Sequence, residues 1–256
     1  MNTNLQEYVI AEFADKQTQL QYIKKADEGL WISEKHFIEK YFTTVDAHIL
    51  DIGCGTGRTT IRLFQMGFKI TGIDIVPAMI ANAKRIAHEK NLDIDYRIGD
   101  ATNLEFPDNS FDYALFSNQG WTQIPGRENR FTALKETYRV LKPEGIFIFT
   151  AYQRVIDREY AFFWFKQWMR FHVLRRLGFS VEELNYGDRF FDRGNTDNSK
   201  FPRQYIHIPS ITEVKREVLK VGLKLLEVSG EYQISEDDVR MYPPVVYVCG
   251  KILTDD

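Results

Sequence analysis

Cysteine is scarce: Cys54 and Cys249 are the only two in 256 residues. One lies inside a glycine-rich stretch and the other in an apolar run near the end. A disulfide framework is therefore excluded as the source of stability, and a reducing compartment fits. Positive charge is not in excess, with 33 Lys and Arg against 36 Asp and Glu and a formal net charge of −3. That argues against a general nucleic-acid binder, whose footprint is basic. No apolar run approaches the ~20 residues that span a bilayer. The opening MNTNLQEYVIAEFADK has neither the basic start nor the apolar centre of a signal peptide. Repeats and low-complexity tracts are also missing. What remains is a globular, cytoplasmic chain, 44% hydrophobic and 27% charged, long enough to bury a core. Its aromatic content, 14%, is on the high side.

The chain organises itself around HILDIGCGTGR, residues 48–58. A short apolar run ends in Asp51 and then in Gly53, Gly55 and Gly57, after which Ile61, Leu63 and Phe64 fall at helical spacing. The pattern reads as strand, glycine turn, helix, a nucleotide-binding position in a parallel sheet. A second apolar run ends at Asp74, about 20 residues past the loop, the distance at which an acid meets a ribose. A third, DYRIGDA, ends at Asp100. A pyrophosphate would be repelled by an acid at the mouth of the loop, whereas a ligand with an amino group or positive charge would be accepted there.

These three strand ends, in this order and spacing, resemble the class I S-adenosylmethionine-dependent methyltransferases. The resemblance covers about 47–151 well and the closing strands more loosely. It implies an α/β fold: a doubly wound, mostly parallel seven-stranded sheet with an antiparallel last strand, N-terminal helices and a helical lid inserted after the fifth strand. The cofactor would be S-adenosylmethionine, leaving as S-adenosylhomocysteine. Asp51 and Gly53 would face the methionine part, the alternative for Asp51 being a helix-turn cap. Gly55, Thr56 and Gly57 would pass close to the ligand, and Asp74 would accept from the ribose. Ile75 and Met79 would sandwich the adenine, Asp100 and the Ala101 amide would address its edge, and Ser117 would lie beside the cofactor. Asn118, Gln119 and Trp121 would line the substrate entrance. Family members that methylate base amino groups carry Asn/Asp-Pro-Pro-Tyr/Phe at this strand end. This chain has SNQG, which speaks against that activity. No metal site is read from the residues, and Cys54 reads as a small packing residue.

The pattern predicts strands at His48–Ile52, Lys69–Asp74, Asp95–Gly99, Phe111–Phe116 and Gly145–Ala151. Helices are predicted at Arg58–Met66, Pro77–Glu89 and Asn129–Leu141, with Pro77 as a first helical residue. Lys142-Pro-Glu-Gly145 reads as a helix stop and tight turn. Residues 1–46 form an N-terminal helical segment, in which Ser33 caps a helix Glu34–Phe42. Packing on the sheet and closing over the cofactor are both open for it, the latter through Tyr22 or Trp31. Residues 47–256 form the main domain, which ends with a helix Thr212–Val221 and strands Lys224–Val228 and Val245–Ile252.

The insertion, 152–210, far exceeds an ordinary connection of about 4–6 residues. Tyr160–Leu177 has Trp164, Trp168, Phe171 and Leu174 at helical spacing among basic residues. It reads as a substrate-selecting lid, with an interfacial helix or an ordinary cap helix as alternatives. Asn185–Arg203 reads as a loop. Tyr152 and Tyr205 are candidates for the acceptor pocket. Tyr152 and His207 are also candidate catalytic residues, His207 as a general base; the alternative is that YIHI is an alternating strand holding a packed His207. The reading is a methyltransferase with a small-molecule acceptor and no nucleic-acid partner. The alternatives are protein or RNA as acceptor, an NAD-linked oxidoreductase, and a nucleotide-binding module without turnover. Acceptor, reacting atom and oligomeric state are not legible in the residues.

Overall fold

The computed structural model describes residues 5–192 and 203–252. Three helices come first: α1 (Leu5–Ala14), α2 (Lys16–Lys25) and α3 (Ile32–Tyr41). Strands and helices then alternate: β1 (His48–Ile52), α4 (Arg58–Gln65), β2 (Lys69–Asp74), α5 (Pro77–Glu89), β3 (Asp95–Ile98), β4 (Phe111–Phe116), α6 (Arg127–Val140) and β5 (Leu141–Ala151). After them come α7 (Ala161–Met169), a hairpin of β6 (Asp188–Asp192) and β7 (Arg203–His207), α8 (Ile211–Lys220), β8 (Lys224–Ser229) and β9 (Val245–Gly250).

Seven strands form one sheet in the order β3-β2-β1-β4-β5-β9-β8. β1 to β5 pair parallel, and β9 runs antiparallel to both β5 and β8. The doubly wound sheet with its inserted antiparallel strand is the fold that the resemblance implied. Strand alternation sorts the core. Leu50 and Ile52 point to one face, where they join Phe116, Phe147, Phe149 and Tyr247 beneath Leu134 of α6 and Val214 and Val218 of α8. Ile49 points to the other face, with Leu115, Ile148 and Val248 beneath Phe37 and Ile38 of α3 and Leu63 of α4. Cys54 packs with Ile80, Ala83 and Tyr96, and it and Cys249 are both buried and free. The strand order reverses between β1 and β4, the point where ligands of such sheets bind.

Several boundaries differ from expectation. Ser33 is not a cap. α3 begins two residues before the predicted Glu34, at Ile32, and Glu34 reaches back to accept from the Trp31 amide at 2.7 Å. β5 begins at Leu141, because Glu144 takes a left-handed φ of 63° and lets the chain enter the sheet through the predicted turn. α6 starts at Arg127, behind Gly126, and not at Asn129. The stretch read as a loop over Asn185–Arg203 contains β6, paired antiparallel with β7 from Asp188↔His207 to Asp192↔Arg203. Its pairing partner is distant in sequence, so no local turn signal marks it; residues 193–202 lie outside the described residues. Among the described residues, no helix is long and apolar enough to cross a membrane.

Candidate functional site

β1, β2, β3 and β4 are parallel neighbours, so their carboxyl ends share one edge of the sheet. The residues just past each strand line one cleft of about 860 Å³, measured to its open mouth. β1 brings Gly53 and Gly55, and β2 brings Asp74 and Ile75. Gly99 and Asp100 come after β3, and Ser117 and Asn118 after β4. Val76, Met79, Ala101 and Thr102 complete that side. The cover is α1, through Gln6, Val9, Ile10 and Phe13, together with Tyr22 of α2. A further wall is Gln123, Ile124 and Pro125.

The glycine turn is shaped for close approach. Gly53 and Gly55 have φ of 63° and 56°, where a side chain is strained, and a Cβ on Gly53 would stand 2.8 Å from the Phe116 ring. The Gly55 amide donates to Asp74 Oδ2 and the Val76 amide to Oδ1, both at 2.9 Å. Each carboxylate oxygen keeps a second lone pair for a hydroxyl in the cleft. Burial pushes the Asp74 pKa up to about 6 despite those two amides. Asp100 accepts at Oδ1 from the Thr102 amide and hydroxyl, both at 2.8 Å, and at Oδ2 from Gln6 at 3.1 Å. Asn118 and Gln119 both have positive φ, 48° and 56°. This turn aims Asn118 into the cleft, where its amide donates to the Tyr22 hydroxyl at 3.3 Å.

Beneath the cleft floor lies a buried ion pair. Arg58 Nη1 and Nη2 donate to Glu34 at 2.7 and 2.6 Å, and the guanidinium lies 4.4 Å over the Trp31 ring. The Ser117 hydroxyl donates to the same carboxylate and accepts from Arg58 at 3.2 Å. Thus α3, the glycine-turn helix and the end of β4 are held together by one charge pair. Trp31 serves that pair and does not line the cleft.

Several candidates stand elsewhere. Asp51 does not reach the cleft. It shares a strand face with Ile49, and its Oδ2 accepts from the Thr59 and Thr60 hydroxyls at 2.6 Å each, clamping the first turn of α4. Its Oδ1 is buried without a partner, and burial pushes its pKa up to about 6 against the two hydroxyls. Thr56 turns its hydroxyl to the Tyr22 carbonyl at 2.7 Å and is buried. Gly57, with φ of 96°, faces the Tyr96 hydroxyl, which a Cβ would approach to 2.3 Å. It therefore serves packing of the helix start against β3. Trp121 is in the core, 1% exposed, and donates to the Arg130 carbonyl at 3.0 Å. The Gln119 side chain is likewise buried. Once the left-handed turn after Ser117 closes, the chain carries both under the sheet edge.

Tyr152 is half-buried and outside the cleft lining. Tyr205 and His207 are fully buried. His207 sits between Asp188 Oδ1 at 2.7 Å and Glu213 Oε1 at 3.0 Å, and the Tyr205 hydroxyl donates to Asp188 at 3.0 Å. This cluster joins the β6–β7 hairpin to α8, so His207 faces no acceptor. YIHI is the alternating strand with a packed histidine. Among the described residues, nothing from 152–210 lines the cleft, so the cover expected from the insertion is supplied by α1. The cleft residues not anticipated from the sequence, Gln6, Val9, Ile10 and Phe13, carry no motif beyond an apolar helix face. Arg58 did carry a signal. A cation at a helix N-terminus opposes the helix dipole, and here Glu34 offsets it.

A family model described as "Methyltransferase domain" matches residues 49–145. The ubiquinone/menaquinone biosynthesis C-methyltransferase UbiE of Rickettsia akari (strain Hartford) is 32% identical over 157 residues, 58% of this chain and 60% of that protein. The sterol 4-C-methyltransferase strm-1 of Caenorhabditis elegans is 35% identical over 133 residues, 49% of this chain and 37% of that one. The chain thus spans about 60% of the UbiE relative's length, and less of the sterol enzyme's. An S-adenosylmethionine-dependent methyltransferase from Methanosarcina mazei shares the fold, with a TM-score of 0.68 at 22% identity over 85% of this chain and 98% of that one.

Proposed function

We propose that the chain is a class I S-adenosylmethionine-dependent methyltransferase that transfers a methyl group to an apolar small molecule, a reading supported by the methyltransferase-domain match over residues 49–145 and by the UbiE relative. The observation that carries this reading is one cleft in which Asp74 and Asp100 share a lining that is otherwise mostly apolar. The residues present fit the cofactor. The Asp74 carboxylate would accept from ribose hydroxyls, and Asp100 with the Ala101 amide would receive the adenine edge between Ile75 and Met79. Gly53 and Gly55, which present no Cβ to the cleft, would lie along the methionine part next to Ser117. When bound, the cofactor supplies an electrophilic methyl carbon. The chain binds, orients and excludes water, and alignment alone removes about 7–11 kcal/mol of barrier.

The acceptor brings its own nucleophile. Among the described residues lining the cleft, the titratable side chains are Asp74, Asp100 and Tyr22, and the first two would be engaged with the cofactor. The acceptor atom therefore attacks as an electron-rich or already ionised centre, with Tyr22 and Asn118 positioned to hold it. Relatives named for quinone and sterol C-methylation support an apolar acceptor, and carbon as the atom methylated. In the N-terminal helical segment, α1 and Tyr22 of α2 act as the cofactor cover, and the segment from residue 47 onward acts as the catalytic domain. A cytoplasmic setting is supported by the two free, buried cysteines.

The test supplies methyl-labelled S-adenosylmethionine with hydroquinone, phenol and sterol acceptors, and with peptide and RNA in parallel. S-adenosylhomocysteine release with an apolar acceptor is the expected result. Tight cofactor binding without release in any mixture, cell extract included, would assign a binding module. Transfer only to peptide or RNA would overturn the acceptor class.

A further inference from the structure

The insertion does not serve the cleft, yet it is built with two different faces. On α7, Trp164 is buried. Its ring lies 6.0 Å from Tyr186, and Phe171 lies 6.3 Å from the same ring. Phe163 is covered by the Arg189 guanidinium at 4.6 Å. That face docks on 183–189. The opposite face carries Phe162 and Phe165, 66% and 56% exposed, and at its edge, one turn after Trp164, Trp168 is 44% exposed. The π-helical turn Arg170–Leu174 comes next, and Leu177 and Phe179 beyond it are again exposed. Every exposed Phe and Trp among the described residues lies between 162 and 191.

Charge on this segment is of one sign. From Tyr160 to Val181 there are Lys166, Arg170, Arg175 and Arg176 and no acid, in a chain whose net charge is −3. Arg170 reaches back to Glu183 at 3.4 Å, while Lys166, Arg175 and Arg176 are exposed. By helical angle Lys166 flanks the aromatic face, and Arg175 and Arg176 adjoin Leu177. Exposed aromatics bordered by basic side chains on a short amphipathic helix are the composition of a segment lying in a bilayer interface. Pairing two copies through this face would set three exposed like charges, Lys166, Arg175 and Arg176, against their equivalents, which disfavours self-association.

We propose that α7 and the turn after it dock this protein on the surface of an anionic lipid bilayer, with Phe162, Phe165, Trp168, Leu177 and Phe179 entering the interface and Lys166, Arg175 and Arg176 meeting headgroups. The docking is peripheral, and it rests on the exposed face and its charge, independent of the acceptor. The β7 strand of the same insertion packs against the Gly120–Gln123 turn at the cleft. The docked face and the cleft wall are therefore parts of one connected unit.

The experiment is flotation of the full chain with vesicles of equal parts phosphatidylcholine and phosphatidylglycerol, with pure phosphatidylcholine as control. The expected result is binding to the anionic vesicles that weakens with salt, and a blue shift of tryptophan emission that Trp168→Phe removes. Replacing Lys166, Arg175 and Arg176 with Gln lowers partitioning about fivefold per residue, on the order of a hundredfold together. Phe165→Ser with Trp168→Ser lowers it at least about tenfold. Both variants alter exposed positions, and unchanged circular dichroism and cofactor affinity show that they fold. Four outcomes overturn the proposal: no affinity for anionic vesicles, equal affinity in the folded variants, a dimer that the double Ser variant dissolves, or binding to polyglutamate without binding to vesicles.

Discussion

Replacing Asp74 with Asn tests the reading of the site at its centre. In the structure both oxygens of Asp74 already hold backbone amides at 2.9 Å, from Gly55 and Val76, so the carboxylate is fixed in the cleft before any ligand arrives. An asparagine keeps one acceptor and turns an NH2 toward one of those amides. It also loses the negative charge. Each charge-assisted hydrogen bond to a ribose hydroxyl contributes about 1.5–3 kcal/mol, so losing one weakens cofactor binding by about 10- to 150-fold. The pH profile separates this from general damage. Burial sets the Asp74 pKa at about 6 in the free protein. A ribose hydroxyl donates to the ionised form, so affinity is full above that value and falls as pH drops through it. At pH 5 wild-type affinity is about tenfold weaker than at neutral pH. The Asp74→Asn variant lacks this dependence. Isothermal titration calorimetry with S-adenosylmethionine from pH 5 to 8 measures both effects, with a thermal melt at each pH to confirm folding. If Asp74→Asn binds as tightly as the parent, or keeps the whole wild-type pH profile, Asp74 does not hold the ribose.

Asp51, raised to about 6 by burial, favours the folded state most when protonated. The associated stability is full below about pH 4 and lost as pH rises through about 6, a change of ~3 kcal/mol that Asp51→Asn should abolish in urea titrations. Glu34→Ala leaves the Arg58 guanidinium buried without its carboxylate. It should cost about 3–5 kcal/mol, whereas Glu34→Leu with Arg58→Met should recover most of the loss in the same melts. Gly57→Ala must fit a Cβ at φ 96° and 2.3 Å from the Tyr96 hydroxyl. It should destabilise by more than about 1 kcal/mol, and Tyr96→Phe in the same chain should return part of that, an effect read as the coupling in a double-mutant cycle. His207→Gln should lower the melting temperature by disturbing the Asp188–His207–Glu213 cluster. Glu213, held down to about 2 against burial by His207 and the Arg154 guanidinium, lends stability that is full above its ordinary value of 4.5 and lost as pH falls toward 2, so the loss should be largest above about pH 4.5. Turnover per folded molecule should be unchanged; a loss of kcat with unaltered stability would restore His207 as a base.

Sequence alone determined the alternation of strands and helices that builds a parallel sheet, and three strand ends that carry the cleft; the order of the strands in the sheet came from the structure. These are local matters. Apolar runs, glycines that permit positive φ, and acids at strand ends are written within a few residues of where they act. Gly53, Gly55, Asp74, Ile75, Met79, Asp100, Ala101, Ser117 and Asn118 accordingly line one cleft. Tertiary structure decided which way side chains turn. Asp51 and Thr56 belong to the same motif as Gly53, yet they face α4 and the Tyr22 carbonyl, because strand alternation and helix packing set their direction. It also decided what covers the cleft. Val9, Ile10 and Phe13 look like any apolar helix face, and only long-range packing brings them over the carboxyl ends of strands some forty or more residues away. The β6–β7 pairing and the buried His207 are of the same kind, products of contacts between segments that carry no mark of each other in the chain.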